Sequence, residues 1–246
     1  MIAVLVSGSV ALLVSLIGTP LLIKFLVHKQ YGQFIRQDGP TGHFTKRGTP
    51  TMGGIVIIGA TILGWIAAMV ASGRLPSASS TLLIFLMTGM GVIGFLDDFI
   101  KISKKQSLGL SPKGKIIGQG IVGIIFSVLA LQFANEDGVT PASTRISFIR
   151  DTNLDLAFAG SVVGLILFVI WANFLITAWS NGVNLTDGLD GLATGVSLLV
   201  FAAYTFVAIW QSNQHCSFAV ETTSCYTTRD PLGLAVVAAA IVGACF

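Results

Sequence analysis

Two acid-bearing stretches interrupt an otherwise apolar sequence. Asp97 and Asp98 stand side by side in GFLDDFIK (94–101), while Asn184, Asp187 and Asp190 recur at every third position of NGVNLTDGLDGLA (181–193). If the second stretch is helical, that spacing aligns two carboxylates and an amide along one side. Ionised groups are costly in a bilayer, so acids at the ends of long apolar runs imply a cation, a proton or a phosphorylated substrate held at the membrane surface. Adjacent helical residues point about 100 degrees apart, so one acid of the pair can face a substrate while the other faces a metal. Mg²⁺ takes one or two carboxylates and fills its shell with water and substrate phosphates. Lys101, Lys104, Lys105, Lys113 and Lys115 follow the pair, and a third stretch, DGPTGHFTKRGTPTMGG (38–54), sets Lys46 and Arg47 among Gly, Thr and Pro. Backbone N–H groups of such a loop, with hydroxyls and a lysine, can surround phosphate oxygens.

Each stretch has a plainer reading. The third is equally an ordinary positively charged loop between helices, in which His43 is a surface residue with no His or Cys at metal-binding spacing. Asp97 with Lys101 at i+4 is equally an interfacial ion pair of about 0.3–0.5 kcal/mol. In NGVNLTDGLDGLA, Asn184 or Thr186 could cap the following helix while the glycines turn the chain. Carboxylates, lysines and a Gly-rich loop together, however, are the requirements of phosphoryl transfer from a nucleotide diphosphate, and a membrane setting suggests a lipid acceptor.

The elements that must position these residues are membrane spans. Of 246 residues, 53% are hydrophobic and 10% charged, and the mean hydropathy is +0.84. About 25% charged is usual in soluble domains, so the expected fold is an all-α polytopic transmembrane bundle forming a single integral membrane domain, residues 1–246. Apolar runs give spans at Ile2–Val27, Ile55–Ala71, Leu82–Leu96, Ile116–Phe133, Ala157–Trp179 and Leu192–Trp210, and a truncated seventh from Leu232. That last run reaches Phe246 with no helix-ending signal, so the chain is expected to be truncated within its seventh span. The first run lacks the basic start of a signal peptide. Gly118, Gly120 and Gly123 would allow close helix approach in the fourth.

Ten of the Lys and Arg residues (24, 29, 36, 46, 47, 101, 104, 105, 113 and 115) fall on one side of this topology. Arg74, Arg145, Arg150 and Arg229 fall on the other. That bias places all three polar stretches in the cytoplasm and the N-terminus outside. Cys216 and Cys225 would then face outside, where a disulfide and two free thiols are both open; Cys245 reads as a small apolar helix residue. The net charge of +3 does not suggest nucleic acid.

DGPTGHFTKRGTPTMGG, GFLDDFIKISKKQSLGLSPKGK and NGVNLTDGLDGLATG, in that order, resemble the signature segments of the bacterial phospho-N-acetylmuramoyl-pentapeptide transferases. These are polyprenyl-phosphate N-acetylhexosamine-1-phosphate transferases. RGTPTMGG is specific to this branch, while the Asp pair and the Asn-Asp-Gly-Asp loop are shared more widely. The resemblance implies an enzyme of the bacterial inner membrane, active at its cytoplasmic face. It would make lipid I of peptidoglycan from UDP-MurNAc-pentapeptide and undecaprenyl phosphate, releasing UMP with Mg²⁺ as cofactor. By matching position, Asp97 would lie nearest the lipid phosphate, removing its proton or attacking directly, and Asp98 would organise the metal. Lys46 and Thr51 would contact the nucleotide diphosphate; Lys101, Lys105 and Lys113 would attract phosphates; Asn184, Asp187, Gly188, Leu189 and Asp190 would line the nucleoside side.

The family has ten spans, with a further metal-binding aspartate in a Met-Gly-Asp-Thr-Gly-Ser motif and a histidine-rich motif, neither of which occurs here. The chain therefore reads as an N-terminal fragment of about two thirds of the enzyme. It is expected to be inactive alone, because the main metal ligand would lie beyond Phe246. A homodimer is left open. Two alternatives stand beside this reading: a sister transferase moving GlcNAc-1-phosphate, and an ion-coupled transporter, whose ionisable residues should lie nearer the bilayer midplane.

Overall fold

The computed structural model describes residues 1–32, 50–106, 108–135, 138–147, 151–187, 189, 191–214 and 228–246. Lys46, His43, Gly188, Asp190, Cys216 and Cys225 lie outside them. Among the described residues, seven helices and one hairpin follow in chain order: α1 Ile2–His28, α2 Gly54–Ser72, α3 Ala78–Ser103, α4 Pro112–Ala130, β1 Arg145–Ser147, β2 Asp151–Asp155, α5 Ser161–Thr186, α6 Leu192–Asn213 and α7 Pro231–Cys245. Helices α1 to α6 are long and apolar enough to cross a membrane; α7, at 15 residues, is shorter than the roughly 20 that span one. The helical-bundle expectation stands, and Cys245 is a half-buried free thiol on α7.

Helix starts follow local chemistry. Ser77 caps α3 by accepting the Ser80 N–H at 3.2 Å, and Ser111 caps α4 by accepting the Gly114 N–H at 3.1 Å, with Pro112 at the first helical position. Asp230 caps α7 through the Gly233 N–H at 3.2 Å and also accepts the Ser77 hydroxyl, joining the starts of α3 and α7.

The packed core lies among α1, α2, α6 and α7, where small side chains bring backbones together. Val4, Ala68, Ala208, Ala235, Val236 and Ala239 form one buried cluster, and Ala11, Ala60, Ala240 and Ala244 another. Ser7 donates to the Val236 carbonyl and Ser15 to the Ala244 carbonyl, both at 2.8 Å and both 229 residues apart in sequence. The constant offset shows that α1 and α7 run parallel. Any side chain at Gly243 would collide with the Gly8 carbonyl. A second group, α3, α4 and α5, packs antiparallel in sequence order: Gly118 of α4 seats on Ile93 of α3, and Gly123 of α4 on Asn173 of α5. Gly120, expected to serve the same purpose, has no neighbour within 4 Å, because it points away from both partners.

Three sequence expectations change. First, the third apolar run does not end at Leu96: α3 continues to Ser103, so the Asp pair sits inside a helix. The helical hydrogen-bond ladder does not need apolar side chains, and Asp97, Asp98 and Lys101 satisfy one another on its surface. Second, α5 extends past Trp179 to Thr186 and stops there. Asp187 is non-helical (φ −75°, ψ 42°) and Gly191 is left-handed (φ 79°) at the start of α6. Asn184 therefore lies on α5 and Asp187 beyond it, so the two do not share one helical face, and neither Asn184 nor Thr186 caps α6. Third, the acidic loop after α4 holds an antiparallel hairpin pairing Arg145 with Asp155 and Ser147 with Asp151.

Candidate active site

The end of the bundle that gathers the C-termini of α1, α3 and α5 and the N-termini of α2, α4 and α6 carries every described candidate residue. Asp97, Asp98 and Lys101 form its centre. The Lys101 ammonium lies 2.6 Å from Asp97 Oδ2 and 3.0 Å from Asp98 Oδ1, so a single cation at i+4 and i+3 relieves the repulsion between neighbouring carboxylates. Asp97 Oδ1 accepts the Leu110 N–H at 2.8 Å, which folds the α3–α4 connection back over it. Both Asp97 oxygens are thus engaged, and its side chain is 17% exposed. Asp98 is 32% exposed, and its Oδ2 has no hydrogen bond among the described residues. Of the two, Asp98 is the freer donor and Asp97 the more firmly oriented.

The plain i+4 ion pair of the sequence reading is present, yet it does not account for the Leu110 contact. Gly109 makes that contact feasible: a Cβ there would overlap the Asp97 carboxylate and stand 2.6 Å from its backbone carbonyl. Lys105 and Lys113 are exposed and make no ion pair among the described residues, which leaves their charges available to an anion. Lys105 holds a left-handed backbone (φ 49°) just beyond α3.

Thr51 lies just before α2, with its hydroxyl buried and lacking a hydrogen-bond partner among the described residues. It is followed by Met52 in a left-handed conformation (φ 72°). Asn184, Asp187 and Leu189 are exposed around the end of α5. One helix relates these to the Asp pair. On α4, Gly118 faces α3 whereas the next residue, Gln119, faces α5, where its amide donates to Ser180 Oγ at 3.0 Å and accepts from Asn181 at 3.2 Å. Sequence reading passed over Gln119; the available signal was a lone amide inside an apolar span, which by default marks an interface or a site.

No group of three His, Cys, Asp or Glu residues that could cage a metal occurs among the described residues. The donor set fits only the mode in which one carboxylate shares Mg²⁺ with substrate phosphates and water, and the free Asp98 Oδ2 suits that part. Phe246 brings nothing to this end of the bundle. Ala244, two residues earlier, meets Ser15 at the middle of α1, so Phe246 stands about halfway along α1 and offers only an apolar ring.

Apolar spans with carboxylates and, among the described residues, lysines without ion pairs gathered at one end of the bundle suit a membrane-embedded enzyme, and comparison with known proteins gives its class as a transferase. The model of glycosyl transferase family 4 matches residues 80–246, and that of phospho-N-acetylmuramoyl-pentapeptide-transferase signature 1 matches residues 46–58. The chain is 71% identical to the phospho-N-acetylmuramoyl-pentapeptide-transferase of Beutenbergia cavernae over 246 residues, which is 100% of this chain and 68% of that protein. It is 60% identical to the enzyme of the same name from Kineococcus radiotolerans (99% of this chain, 68% of that protein) and 57% identical to that from Streptomyces avermitilis (99% and 67%). The chain belongs to the phospho-N-acetylmuramoyl-pentapeptide-transferase family, a multi-pass membrane branch of glycosyl transferase family 4.

Proposed function

We propose that the protein transfers phospho-MurNAc-pentapeptide from its UDP conjugate to undecaprenyl phosphate at the cytoplasmic face of the inner membrane, giving lipid I and UMP. The observation that carries this is the Asp97–Lys101–Asp98 cluster, clasped by Leu110 at the lysine-rich end of the bundle. An oxygen of the lipid phosphate forms a bond to the sugar-bearing phosphorus while the bond from that phosphorus to UMP breaks. Asp97, oriented through both oxygens, serves at the lipid phosphate through a remaining lone pair, removing its proton or attacking directly. A phosphorylated Asp97 trapped during turnover would select the second route. Lys105 and Lys113 draw the diphosphate in and stabilise the charge that grows on UMP. Thr51 and Lys46 contact the diphosphate, and Asn184, Asp187, Gly188, Leu189 and Asp190 line the nucleoside side. Asp98 would hold Mg²⁺, which when bound would supply further positive charge there.

Acids near a helix end, with lysines around them, favour this over a transporter. The test separates binding from turnover. The 246-residue chain in lipid nanodiscs is titrated with UDP-MurNAc-pentapeptide and with UDP-GlcNAc, each with Mg²⁺ or EDTA, and UMP release to undecaprenyl phosphate is then assayed. Preferential, Mg²⁺-strengthened binding of the pentapeptide nucleotide supports the proposal, and equal or tighter binding of UDP-GlcNAc moves the chain to the sister transferases. Asp98→Asn should abolish the Mg²⁺ effect. The 246 residues ending at Phe246 are expected to bind without turnover, so measurable UMP release would overturn that expectation.

A further inference from the structure

We infer that Gln119 is a positioning residue: its amide fixes the end of α5 against α4 and so sets where Asn184 and Asp187 stand relative to the Asp pair. The inference rests on the nucleotide reading proposed above. Gln119 is 1% exposed, the largest fully buried side chain among the described residues. Its Nε2 donates to Ser180 Oγ at 3.0 Å, and its Oε1 accepts from Asn181 Nδ2 at 3.2 Å; Asn181 also donates to the Thr177 carbonyl at 2.8 Å.

The position of this network gives it a role beyond helix packing. From Gly182 to Asp187 every residue is exposed, whereas Ser180 and Asn181 are half-buried. They are the last packed point of the chain before the end of α5. Gln119 lies one helical turn after Lys115 and beside Gly118, which seats α4 on α3 at Ile93. One helix therefore grips the acid-bearing helix with one residue and the nucleoside-side helix with the next. An apolar contact would permit α5 to slide along α4, because lipid and apolar side chains are equivalent surroundings; two directed hydrogen bonds do not.

The test replaces Gln119 by methionine, which keeps the side-chain length and removes both bonds, and measures backbone amide exchange and UDP-MurNAc-pentapeptide affinity in nanodiscs. Gln119→Met is expected to speed exchange at residues 182–187 about tenfold, with α1 and α2 unchanged, and to weaken nucleotide binding about tenfold. Gln119→Glu, which keeps an acceptor for Asn181 and when protonated a donor for Ser180, should restore both to within about twofold of the parent. Ser180→Ala, which removes one bond only, gives a smaller shift in the same direction and serves if the methionine variant fails to fold. Unchanged exchange at 182–187 overturns the inference, as does faster exchange with undiminished affinity, which would make the network structural only. If the parent chain binds no nucleotide the proposed function falls, and the exchange result alone then decides whether Gln119 anchors α5.

Discussion

Lys105 occupies a backbone conformation that glycine adopts at little cost. The Lys105 N–H reaches the Ile102 carbonyl at 3.1 Å and the Gln106 N–H the Lys101 carbonyl at 3.0 Å, which is the hydrogen-bond pattern that closes a helix on a left-handed residue. A side chain there costs about 1–2 kcal/mol, and a glycine would return part of it against a freer unfolded chain. Lys105→Gly should therefore raise the melting temperature of the detergent-solubilised protein while weakening nucleotide binding; a variant that is both less stable and undiminished in affinity would contradict the assignment. Gly109 presents the opposite case. Gly109→Ala pushes a methyl group into the Asp97 carboxylate and should cost about 1–3 kcal/mol by forcing the α3–α4 connection off Asp97, detected as faster exchange of the Leu110 amide.

At the scale of elements, the hairpin and the approach to α7 are tied by charge. Arg229 donates to Asp151 at 2.9 Å and to the Thr140 carbonyl at 3.2 Å, and Ser147 donates to Asp151 at 2.5 Å. The Ser147 hydroxyl, followed by Arg229, holds the Asp151 carboxyl below its ordinary value of 3.8, outweighing the opposing effect of partial burial. A lowered acid pKa stabilises fully above the unfolded value and is lost as pH falls through the folded one. The tie should thus be intact at neutral pH and release below about pH 4, with amide exchange of β2 rising there. In Asp151→Asn that rise should be weaker. The small-residue seam responds differently: Ser7→Ala should cost about 0.6 kcal/mol, the typical value of an interhelical hydrogen bond in a membrane, independent of pH.

At the scale of the whole molecule, the apolar spans were legible in the sequence, because they are set by solvent, and the lysine bias predicts their orientation. Cysteines placed at Lys104 and at Arg74 should react with an impermeant thiol reagent from opposite sides of sealed vesicles; labelling of both from one side would refute the topology. The Asp pair was legible as a site, but its clasp was not, since Leu110 contributes only a backbone N–H that any residue carries. The hairpin was missed although Thr152 and Leu154 alternate with polar neighbours, a signal short enough to vanish inside an acidic loop. The pairing of α1 with α7 was beyond reach, since nothing local tells Ser7 which carbonyl it will meet. That pairing also sets a timetable. The acceptors for Ser7 and Ser15 are made 229 residues after them, a delay of roughly 10–50 s at ordinary synthesis rates. Until α7 emerges from the ribosome, the first helix waits in the bilayer with its small-residue face open, so a nascent chain stalled before Pro231 exposes a surface to which other helices can bind.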